Sequence, residues 1–347
     1  MSVTVERIDP IAKADVLLPF LREHVNNRMD AEGFAWQFER MPDKAIFILG
    51  HEHGVPLCTQ SFLPQALMVA GVALPSVKSE HSFLLPSQRG TPVFAEAYAL
   101  GMELSIAEGY GVCWGFTPAV KVWRGKLGFQ VFEDAVMECS AFLGMPRLSA
   151  SRSAKDILRT LRDSLRYAMS SIGRPAALGE SRFAEQWPMM DEIHALHEAV
   201  NGPSCIHLRM DEIFVRWRIE QNPNIAYRCF TLRNTGRGLV GYGIIGRGRK
   251  FEPDVFHLCD AVALTRTDAD RLLDQLGQVF AGPGRRLRYF GNRYNFGCQR
   301  IIDAIHRRFL ATSAASPAMS FVLKETTPTL PIEAWCLNAL WTQGFHR

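Results

Sequence analysis

Apolar positions recur every three or four residues over residues 12–41, and then every second residue from 45 onward. Those two periods predict a pair of helices followed by half-buried strands. In the first half they give a strand at 2–9, helices within 12–41, and strands near 45–51, 55–63, 66–73 and 76–85. A turn at Pro86–Gly90, a helix at 92–108, a strand at 111–117, a short helix and strands within 129–143 follow. The second half is predicted to hold helices at 189–200 and 209–220, then strands at 226–232, 238–247 and 255–264. A helix at 268–281, a strand at 286–291, a helix at 295–309 and a closing stretch at 318–341 complete the order.

Two segments repeat one another. FAWQFERMPDKAIFIL begins at Phe34 and FVRWRIEQNPNIAYRCFTL at Phe214, with Trp36 and Trp217 equally spaced from Pro42 and Pro223. In each, a helix ends near a proline that cannot continue it, and an alternating strand and a turn follow. The order helix, strand, turn argues for a duplicated domain. Between the copies, Leu158, Leu161, Leu165, Ala168 and Ile172 recur at helical spacing. Arg152, Lys155, Arg159, Arg162 and Arg166 line another face. That pattern predicts a linker helix over 152–172, its leucines packed on a domain and its arginines in water. Attachment to an anionic membrane or acidic partner is the alternative.

Composition agrees with this layout. At 347 residues, 47% hydrophobic and 21% charged, the chain suits two domains with sizeable cores. No apolar run approaches the roughly 20 residues of a membrane-spanning helix. The start MSVTVERIDP shows no export signal, and the eight scattered cysteines form no paired metal motif, so a cytoplasmic protein with reduced thiols is expected. Residues 1–150 hold 12 Lys+Arg against 16 Asp+Glu, whereas the remainder holds 27 against 19. That basic excess is too mild to argue for nucleic acid.

The informative stretch is residues 76–129. An apolar strand enters Pro86-Ser87-Gln88-Arg89-Gly90-Thr91-Pro92, which opens a helix. Main-chain amides at a helix start, backed by the helix dipole, form an anion site. A second strand ends at Gly115, and Lys126-Leu127-Gly128-Phe129 leads into the next. This stretch resembles the acyl-CoA-binding core of the GNAT superfamily of N-acetyltransferases. Arg89-Gly90-Thr91-Pro92-Val93-Phe94 resembles that family's pyrophosphate loop, and Gly115-Phe116 with Lys126-Leu127-Gly128-Phe129 its later strand–helix signature. The resemblance covers residues 45–143; the second half is similar to the companion domain of two-domain members.

The resemblance implies an α/β (α+β) protein of two GNAT-like domains in tandem, each a twisted mixed sheet flanked by helices. The expected division is 1–145 with the cofactor loop, a linker at 146–180, and a degenerate domain at 181–347 that shapes the acceptor site. It further implies acetyl-CoA or another acyl-CoA as co-substrate, bound by Leu84, Leu85, Gln88, Arg89, Gly90, Thr91, Val93 and Lys126, with no metal. An amine attacking a thioester must shed a proton, so a base is wanted on the strand before the loop. His81 and Glu80 are the candidates, and alternation turns one of them toward the cleft. Trp36 and Arg293 are expected at the acceptor. Asp268 and Asp270 stand where a second phosphate cradle would be, so the second domain is expected to lack one.

Departures from the family pattern also matter. Pro92 replaces a glycine and has no N–H to offer a phosphate, though proline suits a first helical position. Thr117-Pro118 stands where asparagine is common, and Arg124 where a general-acid tyrosine would be. The expected activity is acyl-CoA-dependent N-acylation of a small amine, amino sugar or amino-acid derivative by a monomer or homodimer. The alternatives are a non-catalytic CoA- or ligand-binding regulator, and Fem-type transfer from a carrier other than CoA. His51 and His53 are close in sequence but sit at a hairpin tip with no companion carboxylate cluster, and His194 and His197, one helical turn apart, read as solvated helix positions rather than as metal ligands.

Overall fold

A computed structural model of the protein describes residues 3–146, 158, 162, 164–167, 181–250, 252–316, 319–325 and 330–342. The first half runs β1 (Thr4–Ile8), α1 (Ala14–His24), α2 (Ala31–Phe38), β2 (Ile46–Glu52), β3 (Val55–Pro64), β4 (Leu67–Val69), β5 (Val72–Leu74) and β6 (Ser76–Leu84). It continues with α3 (Val93–Ala107), β7 (Val112–Thr117), α4 (Val120–Gly125), β8 (Gln130–Phe132) and β9 (Val136–Phe142). The second half runs β10 (Arg182–Glu185), α5 (Met190–Asn201), β11 (Ile206–Leu208), β12 (Ile225–Arg233), β13 (Leu239–Gly248) and β14 (Val255–Ala263). It closes with α6 (Arg266–Phe280), β15 (Arg286–Asn292), α7 (Phe296–Arg308), β16 (Ala311–Ala315) and β17 (Ser320–Glu325). The short strands β10, β11 and β16 carry no predicted pattern, being too brief to show a period. The helix expected at 209–220 is a single turn, Glu212–Phe214, running into a π-helix at Val215–Glu220.

Two seven-stranded sheets form, ordered β1-β2-β3-β6-β7-β17-β8 and β10-β12-β13-β14-β15-β9-β16. Position for position they match. Each has one parallel pair, β6 with β7 and β14 with β15, joined by a helix of 15 residues, α3 or α6. The sixth strand of each sheet comes from the other half of the chain: β17 pairs with β7, and β9 with β15. The sheets therefore do not divide where the chain halves do, and neither 1–145 nor 181–347 holds a whole sheet. Trp36 and Trp217 express the same symmetry. Each indole Nε1 donates to the other's backbone carbonyl, at 2.8 and 3.0 Å, with rings stacked 5.3 Å apart. Reciprocal contact of this kind is what a two-fold relation produces.

The first sheet buries one face under α3, through Ile48, Phe62, Val77 and Tyr98. Its other face packs under α1 and α2 through Leu21, Phe34, Phe47 and Leu63. The second sheet packs Leu258, Cys139 and Tyr289 against α6 and α7. Trp114, Tyr242, Phe321, Trp335 and Trp341 join the two sheets in a shared core. Most of the expected linker helix lies outside the described residues. Leu158 and Leu165 within it are helical but 68% and 64% exposed, not packed on a domain as expected.

His197 is likewise not solvated. It is 1% exposed, its Nε2 lies 2.9 Å from the Tyr242 hydroxyl, and that hydroxyl donates to Asp260 at 2.6 Å. His207 stacks on it at 4.2 Å. Burial and the neighbouring histidines pull the His207 pKa down to about 2, so it stays neutral.

Candidate active site

β6 and β7 pair over three residues only, Ser76–Lys78 with Val112–Trp114, and beyond that they part. At the throat, a Cβ on Gly115 would lie 3.1 Å from the Ser79 carbonyl oxygen, so the backbones approach closely there. The opening between the strands is part of a cleft of about 660 Å³. One wall is β6 with the ends of α1 and β7; the other is β9, β14, β15 and β16 of the second sheet.

β6 carries a bulge. Ser61 pairs with Glu80 and Thr59 with Phe83, leaving Gln60 opposite two residues, His81 and Ser82. His81 takes a left-handed backbone conformation, φ +52°, uncommon away from glycine and held only where the surroundings enforce it. Thr59 Oγ1 donates to the His81 carbonyl at 2.8 Å, and Ser61 Oγ lies 2.8 Å from the ring Nδ1. Because the extra residue breaks the two-residue alternation, Glu80 and His81 lie on the same side of the strand, not on opposite sides as expected. The His81 ring is 6% exposed and turned to Ser61 and Phe38. Glu80 keeps 28% of its side chain exposed in the cleft wall and is ion-paired with Lys78.

Lys78 was not foreseen, although period-two spacing places it beside Glu80. Its ammonium is almost wholly buried; burial pulls its pKa down, and the Glu80 carboxylate opposes that. Arg218, fully buried, adds to the downward pull, donates to the Leu340 carbonyl at 3.1 Å and sits over the Trp36 ring.

The loop after β6 forms a 3-10 turn at Pro86–Gln88, with Leu85 bonded to β3 through its amide. Gly90 has φ +94°, which its lack of a side chain allows. Arg89 is exposed, and no side chain caps the start of α3. The Thr91 amide, expected to be open, instead donates to the Gln88 carbonyl at 3.2 Å. First-turn amides have no partner within a helix, which leaves Gly90 and the start of α3 at Val93 as the available donors. Pro92 occupies the cap position with near-helical angles, and its carbonyl accepts from Glu96 at 3.0 Å.

At the matching helix α6, Thr265 and Asp268 close a capping box, each satisfying the other's amide. Asp270 and Asp274 are paired with Arg307 and Arg308. That helix start is already satisfied by its own carboxylate.

Four expected residues lie elsewhere. Trp36 is 2% exposed in the contact with Trp217, because the repeat that made it conspicuous is the interdomain joint. Arg293 lies over the Tyr294 ring and 3.7 Å from Asp134, away from the cleft lining. Lys126 is exposed at the end of α4, and Lys324 from β17 donates instead to the Leu127 carbonyl at 2.8 Å. Leu84 packs on the α3 side of the sheet.

No protein-family model matches the sequence, and no curated protein matches it. Solved structures do match. A protein of unknown function from Enterococcus faecalis V583, described as a probable N-acyltransferase, superposes with a TM-score of 0.64. It is 10% identical over 94% of this chain and 73% of its own. A tandem GNAT protein from the clavulanic acid biosynthesis pathway, 11% identical, covers 94% of this chain and 100% of its own at a TM-score of 0.56. This chain carries the GNAT fold twice in tandem. N-myristoyltransferase of Saccharomyces cerevisiae with bound myristoyl-CoA also matches: 11% identity, 93% of this chain, 78% of its own, TM-score 0.53. In this chain β6 and β7 are the strands that part, α3 follows the loop after β6, and the second sheet supplies the facing wall. Among the described residues no helix is long and apolar enough to cross a membrane, and no group of three His, Cys, Asp or Glu is arranged to hold a metal.

Proposed function

We propose that the protein is an acyl-CoA-dependent N-acyltransferase acting on a small amine. The observation that carries this reading is the opening between β6 and β7 into a cleft whose wall holds a partly exposed, ion-paired Glu80. The acyl-CoA would run from the Arg89–Gly90 turn into that opening, its pyrophosphate near the uncapped start of α3. The amine enters from the cleft. Its nitrogen attacks the thioester carbon, Glu80 takes the proton from that nitrogen, and the C–S bond breaks to release CoA thiolate.

Main-chain amides along the opening between β6 and β7 would hold the carbonyl oxygen as it gains charge. A thiol near pKa 8.5 leaves tolerably well as thiolate and takes its proton from water, so a tyrosine acid at Arg124 is dispensable. His81 is a positioning residue, locking the bulge through Ser61.

The test is thiol release from acetyl-CoA across a panel of amines, with Glu80→Gln beside the wild type. Loss of the base should lower kcat by about 10²–10⁴-fold while leaving CoA affinity unchanged. Unaltered turnover in Glu80→Gln would remove Glu80 from this role. CoA binding without thiol release from any amine would instead favour a non-catalytic binding protein.

A further inference from the structure

The wall facing Glu80 is built from a cross-strand row. His257 of β14 pairs with Arg288 of β15, Arg288 with Ser140 of β9, and Ser140 with Thr312 of β16. Residues directly opposite one another share a face of a sheet. Their neighbours Leu258, Tyr289 and Cys139 are buried against α6 and α7, so this row faces the other way, and all four residues line the cleft. The strand exchange creates it, since β9 comes from the first half of the chain.

The chemistry of the row suits one anion of single charge. Arg288 has a side chain 39% exposed, and Glu252 meets its Nη1 alone, at 3.2 and 3.3 Å. A guanidinium carries five N–H donors in a planar fork that matches a carboxylate. His257 is 8% exposed; burial and the Arg288 charge pull its pKa down to about 3, so at neutral pH it adds no charge to the row. Ser140 and Thr312 add two hydroxyls. Glu252 already offsets part of the Arg288 charge and Glu138 lines the same cleft, so the remaining donors of the fork suit a singly charged carboxylate and leave a doubly charged phosphate uncompensated.

We propose that the His257–Arg288–Ser140–Thr312 row binds a carboxylate carried by the acceptor, which is therefore an amino carboxylate whose amine reaches Glu80 across the cleft. This rests on the acyl-transfer reading above. It goes further in assigning the second domain a ligand of its own. Whichever spacing of amine and carboxylate fits the cleft selects the chain length.

The experiment uses the full chain and a graded series of ω-amino carboxylates, from glycine to 6-aminohexanoate. Each is compared with its carboxamide and its aminophosphonate, by thiol release from acetyl-CoA and by titration calorimetry with CoA present. For at least one length the carboxylate should exceed its carboxamide in kcat/KM by about tenfold or more. Arg288→Gln should raise that acceptor's KM by about 10- to 100-fold, the size of a lost charge-assisted hydrogen bond, while KM for acetyl-CoA stays fixed. Thr312→Val, a milder change at an exposed position, should move the same KM in the same direction and guards against a misfolded Arg288 variant.

Transfer to amines with no carboxylate preference, a preference untouched by Arg288→Gln, or a preference for the aminophosphonate would overturn the assignment and leave acyl transfer standing. Absence of all thiol release would sink acyl transfer. Calorimetry then still decides the row: amino-carboxylate binding lost in Arg288→Gln supports it, and no binding to wild type overturns it.

Discussion

Gly101 lies in the middle of α3, where glycine costs about 1 kcal/mol relative to alanine, so Gly101→Ala would ordinarily be expected to stabilise. The packing reverses that expectation. A Cβ at position 101 would lie 2.0 Å from Phe62 Cε2, 2.7 Å from Cδ2 and 2.9 Å from Cζ, whereas carbon atoms rest at about 3.5–4.0 Å. Phe62 cannot swing clear: it is 0% exposed on β3 and meets the Tyr98 ring edge-on at 5.1 Å. Either the ring leaves its rotamer or α3 lifts from the sheet by more than an ångström.

Overpacking of this kind costs about 1–3 kcal/mol, and more where nothing yields. Set against the helix-propensity gain of about 1 kcal/mol, the net loss is about 0–2 kcal/mol. It falls toward the upper end because Phe62 has no room to yield, and corresponds to up to a few degrees of melting temperature for a chain this long. If α3 lifts, its uncapped start moves with it, and CoA affinity should fall together with stability. Urea unfolding of Gly101→Ala beside Gly125→Ala makes the comparison. Gly125 has nothing within 4 Å of its added Cβ and should be neutral or stabilised by up to about 1 kcal/mol. A Gly101→Ala midpoint at or above wild type would refute the packing argument. Recovery on adding Phe62→Leu would support it, since contacting residues couple.

Arg89→Ala should weaken CoA binding by about 1.5–3 kcal/mol, a charge-assisted hydrogen bond, with little change in melting temperature because the side chain is exposed; equal titration isotherms would refute it. Glu192 is held below the ordinary carboxylate range by two Arg233 hydrogen bonds of 2.6 and 2.7 Å, and it also accepts from the Met189 amide. A depressed folded pKa gives stability present above the unfolded value near 4.3 and lost as pH falls through the folded value. Wild type should therefore exceed Glu192→Gln by about 1–3 kcal/mol at pH 7, and the gap should narrow below about pH 4. A gap constant from pH 7 to pH 3 would show that the charge contributes nothing.

Periodicity along the chain was enough to predict most of the elements, because which face of a helix or strand is buried is written locally. The Trp–Pro repeat announced the duplication, and the strand–turn–helix around Arg89 announced the loop. Partnership between strands is another matter. β9 and β17 have apolar patterns that would satisfy either sheet, and only the packing of the two sheets around Trp114, Phe321 and Trp335 gives each its place in the other half's sheet. Trp36 stood out in the sequence for a reason other than ligand binding, since a two-fold joint also demands matched residues at matched spacing.

The Glu80–His81 alternation failed at a one-residue bulge, which moves every later side chain by one face and leaves no mark in composition. Arg288 was one arginine among several. A residue faces the cleft by virtue of its register against His257 and Ser140, and register is set by contacts between segments far apart in the chain. Local sequence thus decided what each segment would become, and tertiary contacts decided which side chains would meet.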